Sequence, residues 1–489
     1  MLDVDAYLEK HRLRRQSNKV LHGHPSPSFW SERSVPAEAI LAERAAGAIR
    51  RRVNLYVGTP YCLPTNPDRC GFCLFPSEVY KNRRQLDEYL AYLIREGEIL
   101  GRYFANDRLA SIYFGGGTSN LYTSDQYGRL MGIVRQFFDV PSTIEVTLEG
   151  IPQLFTRDKL LAMKQSGITR VSIGVQQLDD DMIKASGRKQ KAEQVFNTLR
   201  WCAELGLPAS VDLIFGWPRQ TVDRMMKDLE AVVAAGVPHI THYELNVAGR
   251  TAFARHLRDE LPSPEQNLDM YRVGCAFLES RGYRQATAYD WEKVDCALPT
   301  SYEYEEIFRK PFQTTAGELA SCDAWGWGFA GVSFFLGTPQ MPGWAYMNHP
   351  RIDQYFKSLD AAELPIACGF HYTPTDLLLY LIFQELQGMS VDVGLYRHLF
   401  GIDVLEKFHQ VWTALERRQW IQTTPDRVVL TRDGAFYTPL IQSVLAHERM
   451  EEMRRHRSTP NSSDAFVALA DLRRTDRSDA ASGQASTRG

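Results

Sequence analysis

Between residue 53 and about residue 245 one theme recurs six times: a short β-branched, apolar run followed by a longer amphipathic stretch. The runs fall at 53–57, 111–114, 143–147, 170–175, 210–214 and 239–243. Short buried runs alternating with helix-period segments read as βα units and predict a parallel sheet. Crossovers between parallel strands are right-handed. Six of them therefore predict a partial (β/α)6 barrel over residues 51–250, about three quarters of the closed eight-stranded form.

Parallel α/β sheets collect function where their strands end, on the C-terminal side. Here each predicted strand is followed there by chemically notable residues. Cys62, Cys70 and Cys73 follow the first, and Gly115, Gly116, Gly117 and Thr118 the second. Glu149 ends the third, Gln176 and Gln177 the fourth, and the fifth holds Asp212 and Ile214 just before Gly216-Trp217-Pro218. Around the barrel the sequence predicts an N-terminal extension over 1–50 and a mixed extension over 251–370. In that extension Pro262-Ser263-Pro264 signals a helix start, and Trp325-Gly326-Trp327-Gly328 reads as a Gly-aromatic turn. Helical periodicity returns over 371–450 and encloses a predicted hairpin at 420–424 and 427–431, a pattern that suggests a winged-helix-like unit. From 451 to 489 the chain is rich in Ser, Asp, Arg and Ala, a composition that predicts disorder.

Fifty-six Lys and Arg against 59 Asp and Glu leave no excess of positive charge to attract nucleic acid or anionic lipid, so a small-molecule partner is expected. No apolar run reaches the roughly 18 residues of a membrane span, and the first twenty residues are charged; the expectation is a cytoplasmic protein. Eight cysteines in 489 residues are too few for a disulfide scaffold, yet three crowd into positions 62–73.

That crowding points to metal. A cubane cluster needs soft thiolate ligands on a loop flexible enough to wrap it, and Pro64, Asn66 and Pro67 suit such a loop. Three thiolates leave one iron of a 4Fe-4S cluster without a protein ligand, free to chelate the amino and carboxylate groups of S-adenosylmethionine and to pass an electron to its sulfonium. The competing reading is a structural zinc completed by a distant histidine such as His22 or His24. The glycine run lets backbone approach a ligand closely, and without a following Gly-Lys-Ser/Thr it is not a phosphate loop. It reads as exposed backbone for the methionyl amino group. Glu149, Gln176, Arg188 and Asp212 are then candidates for the ribose hydroxyls and the carboxylate, with Arg188 as the charge-assisted partner.

With these motifs in order along residues 50 to 450, the chain resembles the oxygen-independent coproporphyrinogen III oxidase (HemN-like) family of radical S-adenosylmethionine proteins. The resemblance rests on 56–62, 70–73, 115–118, 172–176, 212–218, 261–264 and 326–333. It implies a radical SAM barrel with a C-terminal winged-helix-like unit. It also implies that Cys62, Cys70 and Cys73 hold the cluster, and that Tyr56, Phe72, Gly116, Glu149, Gln176, Arg188 and Asp212 surround the cofactor, Tyr56 as the catalytic side chain. Gly117, Ile214, Asn246 and Val332 are implied to lie near a second S-adenosylmethionine, and a reductant protein such as flavodoxin or ferredoxin is implied as partner.

Two departures shape the functional expectation. Seven residues, Leu63 to Arg69, separate Cys62 from Cys70 where the family usually has three, and Leu74-Phe75 replaces the further cysteine of the true oxidases. The leading expectation is therefore C-methylation of a planar porphyrin, quinone or heteroaromatic ring with a second S-adenosylmethionine as carbon donor. Oxidative decarboxylation of coproporphyrinogen is the alternative. A haem-binding chaperone is a third reading, on a partial match at Asn348, His349 and Tyr355.

Overall fold

A computed structural model describes residues 2–16, 23–30, 40–41, 50–66, 70–104, 107–247, 251–300, 302–315 and 318–455. All six predicted strands form, as β1 (Arg50–Thr59), β2 (Arg108–Gly116), β3 (Val146–Gly150), β4 (Arg170–Gln176), β5 (Ala209–Phe215) and β6 (His239–Glu244). They pair in parallel in that order. The third begins three residues later than the sequence predicts. Ile144, β-branched as it is, sits in a turn with its N–H donated to Pro141 O at 3.4 Å.

The period-two alternation of a strand decides what each position faces. Val53, Leu55, Ile112, Phe114, Val146, Leu148, Val171, Ile173, Val211 and Leu213 point outward and join the main hydrophobic core with the helices. Their neighbours point into the lumen at two levels. Nearer the N-terminal ends stand Asn54, Ser111, Thr147, Arg170, Ser210 and His239; nearer the C-terminal ends stand Tyr56, Tyr113, Glu149, Asp212 and Tyr243. The polar residues that break the apolar runs are thus the lumen lining.

The sheet extends past both edges of the predicted barrel. Beyond β6 lie two antiparallel strands, β7 (Tyr283–Gln285) and β8 (Asp290–Lys293). Beside β1 runs a seventh parallel strand, β9 (Glu318–Trp327), followed by antiparallel β10 (Val332–Gly337), β11 (Pro342–Asn348) and β12 (Ile366–His371). Trp325-Gly326-Trp327 is therefore strand, and the turn starts at Gly328. Gly326 is required because a Cβ there would collide with the backbone of Val332. Both tryptophans are fully buried and stack on each other at 4.9 Å.

Helix Pro264–Ser280 begins at the predicted signal, with Ser263 and Gln266 closing a capping box. The C-terminal unit packs helices Pro374–Gln387, Val393–Phe400 and His409–Arg417 with a three-stranded sheet of Ser390–Asp392, Arg427–Leu430 and Ile421–Thr423, a winged-helix arrangement. Helix His447–Arg455 follows and includes the first five residues of the segment predicted to be disordered. The remainder of that segment, from 456, lies outside the described residues. No helix among the described residues is long and apolar enough to cross a membrane.

Candidate active site

The three cysteines sit where the first strand runs out. Cys62 lies in a two-residue strand, Tyr61–Cys62, paired with Glu78–Val79, and its carbonyl accepts from Tyr80 N at 2.8 Å. Cys70 adopts φ 45° and donates its N–H to Thr65 Oγ1 at 3.1 Å, while Cys73 N donates to Cys70 O at 2.7 Å, which closes a tight turn. Gly71 ties this turn to two other loops: its N–H donates to Ser186 O at 2.8 Å and its carbonyl accepts from Phe253 N at 2.9 Å. The first tie sets the turn beside the loop that carries Arg188.

The glycine run meets Cys62 directly. Thr118 Oγ1 lies 3.6 Å from Cys62 Sγ, and Gly117 N donates to Thr59 O at 2.7 Å. A Cβ on Gly117 would stand 2.5 Å from Tyr61 O and 2.9 Å from Thr59 O. Gly116 takes φ +102°, a conformation glycine adopts at no steric cost. A Cβ on Gly115 would meet the Tyr56 hydroxyl and the Tyr113 ring at 2.8 Å and Glu149 Oε2 at 3.0 Å. The run is thus a backbone cradle whose floor is a phenol, a ring and a carboxyl.

Glu149 and Asp212 share the lumen with few cations. Burial, reinforced by the charge of Asp212 and opposed by Arg188, pushes the Glu149 carboxyl up to about 8. Burial pushes Asp212 up to about 6, against Arg170, His239 and the Ser172 hydroxyl 3.2 Å away. Arg188 donates to Gly174 O at 2.6 Å. Gln176 closes the fourth strand at φ 69°, a left-handed conformation costly for a side chain, and its Oε1 accepts from the Tyr243 hydroxyl at 3.3 Å. Tyr56 stacks on Tyr113 with centroids 5.8 Å apart, and burial holds both phenols well above their ordinary range.

Phe72 packs on Trp217 at 5.2 Å and on Phe253 at 6.2 Å, in a small apolar cluster that also contains Ile214. Asn246 lies two residues past β6, and Val332 sits against Gly326, the register partner of Tyr56. The sequence-predicted residues are therefore brought to one end of the sheet, with Val332 two strands beyond β1, across β9. Three participants were not singled out from the sequence: Tyr113, Tyr243 and Ser77. Tyr113 and Tyr243 carry the same alternation that marks Tyr56 and Asp212. Ser77 offers a hydroxyl to the Cys62 thiol from outside any motif.

His24, one candidate for a zinc ligand, is committed elsewhere. Its Nε2 lies 3.1 Å from Asp376 Oδ1, and Asp376 also accepts two hydrogen bonds of 2.8 Å from Arg449. His22 lies outside the described residues. Among the described residues no three His, Cys, Asp or Glu side chains converge on a point that one ion could fill. Convergence is what mononuclear zinc requires, whereas a cubane gives each thiolate its own iron, so its ligands stand around a block. Three soft donors on one loop, half-exposed and backed by a glycine cradle, fit a cluster with a chelated small molecule.

Residues 56–232 match the model of the radical SAM superfamily. The chain is 27% identical over 403 residues to the oxygen-independent coproporphyrinogen III oxidase of Pseudomonas aeruginosa, covering 81% of this chain and 85% of that one. It is 27% identical over 257 residues to the haem chaperone HemW of Haemophilus influenzae, covering 51% of this chain and 66% of that one. The solved coproporphyrinogen III oxidase of Escherichia coli superposes with a TM-score of 0.73 at 22% identity, over 87% of this chain and 98% of that one, which shows a shared fold. Residues 56–232 thus resemble the radical SAM domain, a class that works with a 4Fe-4S cluster and S-adenosylmethionine. Along most of its length the chain is similar to the HemN-type oxygen-independent coproporphyrinogen III oxidases.

The segment with the partial chaperone match has a packing role. Asn348 Nδ2 donates to Glu96 Oε1 and to Gly328 O, both at 2.8 Å, and the Tyr355 hydroxyl donates to Glu96 Oε2 at 2.6 Å. His349 is half-buried, and burial lowers its ring pKa.

Proposed function

We propose that Cys62, Cys70 and Cys73 hold the cluster and that S-adenosylmethionine lies against Gly115–Thr118, Glu149, Gln176, Arg188 and Asp212. The enzyme then C-methylates a planar ring substrate, with a second S-adenosylmethionine as carbon donor. The observation that carries the site is the Thr118 to Cys62 contact, which joins the thiol loop to the glycine cradle. The chemistry supplied there is one-electron cleavage of S-adenosylmethionine to methionine and a 5′-deoxyadenosyl radical.

The chain's own residues do the rest. Backbone at Gly115–Gly117 takes the methionyl amino group, and the Arg188 guanidinium faces the carboxylate. Glu149 and Asp212 meet the ribose hydroxyls; with its carboxyl up at about 8, Glu149 keeps a proton to donate near neutrality. Tyr56 borders the reacting end of the lumen, and Phe72 and Ile214 supply apolar surface for adenine. Gly117, Ile214, Asn246 and Val332 are assigned to the second S-adenosylmethionine. Phe75 and Val79, exposed beside the cysteines, suit the approach of a reductant protein such as flavodoxin or ferredoxin.

A ring substrate is supported by the side chains below the cofactor level. Tyr302 and Tyr304 lie 6.3 and 5.2 Å from Tyr113. The charged groups beneath them, Glu145 and Glu305 against Arg170, provide no surplus of cations for a tetracarboxylate. Oxidase-type decarboxylation is the second reading, favoured by the length of the alignment with the Pseudomonas enzyme.

The test is anaerobic: reconstitute the cluster, add S-adenosylmethionine, dithionite and candidate rings, and quantify 5′-deoxyadenosine and S-adenosylhomocysteine. Both products are expected, and S-adenosylhomocysteine forms only if a methyl group is transferred. Deoxyadenosine alone would replace methylation with decarboxylation. Haem retention with neither product would favour the chaperone.

A further inference from the structure

At the end of the barrel away from the cysteines, a cleft of about 1000 Å³ opens between the sheet and the C-terminal unit. Pro238 and Lys293 wall it at the N-terminal edge of the sheet, and Glu306, Arg309 and Lys310 on the outer side of helix Glu303–Arg309. Leu381 and Glu385 of helix Pro374–Gln387 and Arg427 of the wing complete it. Its size is that of small-molecule sites, and Phe312, Leu381 and Leu395 give it apolar wall.

The charges in this cleft are unevenly matched. Each acid is engaged within the protein. Glu292 accepts from Arg284 Nη2 at 2.9 Å, and Glu306 Oε1 lies 3.9 Å from Lys310 Nζ. Glu385 accepts from the Tyr396 hydroxyl at 2.7 Å, and burial pushes its carboxyl up to about 7. Asp392 accepts from Leu395 N at 3.2 Å as a helix cap. Lys293, Arg309 and Arg427, by contrast, have no carboxylate within ion-pair distance among the described residues. Lys293 has only the Tyr283 ring, 5.8 Å away, and Arg309 acts at longer range on Glu305 and Asp290. Lys293 and Arg309 are half-buried in the cleft wall.

We propose that this cleft is a second ligand site, for a small polyanion with an apolar body and two or more carboxylate or phosphate groups, held by Lys293, Arg309 and Arg427. The site stands apart from the cofactor end and does not depend on which radical reaction the enzyme performs. Helix Glu303–Arg309 is the wall shared with the lumen. Arg309 faces the cleft, while its charge acts on Glu305, so an anion bound here competes with Glu305 for that guanidinium.

The test is anaerobic titration calorimetry of the full-length, cluster-loaded protein with two probes, trimesate (a benzene tricarboxylate) and 1,4-phenylene bisphosphate. Saturable binding of at least one is expected, weakened about tenfold or more in R309A/R427A, a loss of roughly 1.4 kcal/mol. Which probe binds more tightly separates carboxylate from phosphate recognition. Deoxyadenosine formation in the variant is expected at the wild-type rate. No binding of either probe by the wild type, or equal binding by wild type and variant, overturns the proposal. Should the double variant lose its cooperative melting transition, K293A serves as the variant under the same two criteria.

Discussion

The two levels of the lumen are made by the same strands two residues apart, yet they are finished differently. At the lower level most polar side chains find partners within the protein, although Arg170 Nε is buried without one. Arg170 donates to Thr147 Oγ1 at 3.2 Å and to Ser210 Oγ at 2.7 Å and lies 4.3 Å above the Tyr302 ring. His239 is held by Thr300 at 3.0 Å and Asp290 at 3.3 Å. At the upper level the groups are left for something else: half-exposed thiols, a cradle of glycines and carboxyls whose burial exceeds their pairing. One end of a shared frame is held by protein contacts, and the other gathers the thiols, the glycine cradle and the buried carboxyls.

That contrast is open to attack by substitution. The largest effect belongs to Cys70→Ala, expected to reduce deoxyadenosine formation more than about a hundredfold, a change of roughly 2.7 kcal/mol in the barrier, with the melting profile of the barrel retained. Product at wild-type level would remove the cysteines from the site. Gly117→Ala comes next, since its methyl group would press on the carbonyls of Tyr61 and Thr59 just before Cys62. Affinity for S-adenosylmethionine should fall about tenfold to a hundredfold, or 1.4 to 2.7 kcal/mol, read by equilibrium dialysis.

Arg170→Met tests the lower level. It should cost about 2–3 kcal/mol in denaturant unfolding and leave deoxyadenosine output per folded molecule within about threefold, or ~0.7 kcal/mol. Unchanged stability with lost activity would break the division between the levels. The smallest effect is a pH dependence. Burial, opposed by Arg309, raises the Glu305 carboxyl to about 7, so the folded state prefers it protonated. Its burden on stability grows as pH rises from the unfolded carboxyl value of about 4.3 towards 7 and is constant above. Glu305→Gln should therefore flatten the fall in melting temperature between pH 5 and pH 8, and a parallel fall in both proteins would count against this assignment.

Much of the upper level was legible because strand alternation writes it into the chain. Tyr56, Glu149 and Asp212 interrupt apolar runs at positions that can face only the lumen. The third strand was misplaced because Thr143 and Ile144 look like strand residues while Pro141 holds them in a turn. Strand β9 was missed because a glycine between two tryptophans resembles a turn, and its real reason, the backbone of Val332, lies six residues on and one strand across. The lower level was not legible at all. Tyr302–Glu305 falls in the predicted mixed extension with no motif to single it out, and only tertiary placement sets its rings against Tyr113 and Arg170.

The fastenings of the N-terminal extension bear on how the chain folds as it is made. Asp5 pairs with Arg417 and Arg418, the Tyr7 hydroxyl lies 2.7 Å from Ser443 Oγ, and His24 meets Asp376, which Arg449 also grips. All of these partners emerge from the ribosome more than 300 residues after the segment they hold. Asp5, Tyr7 and His24 therefore meet these partners only after the whole barrel has been synthesised. A segment made before the barrel thus finds these partners only after it.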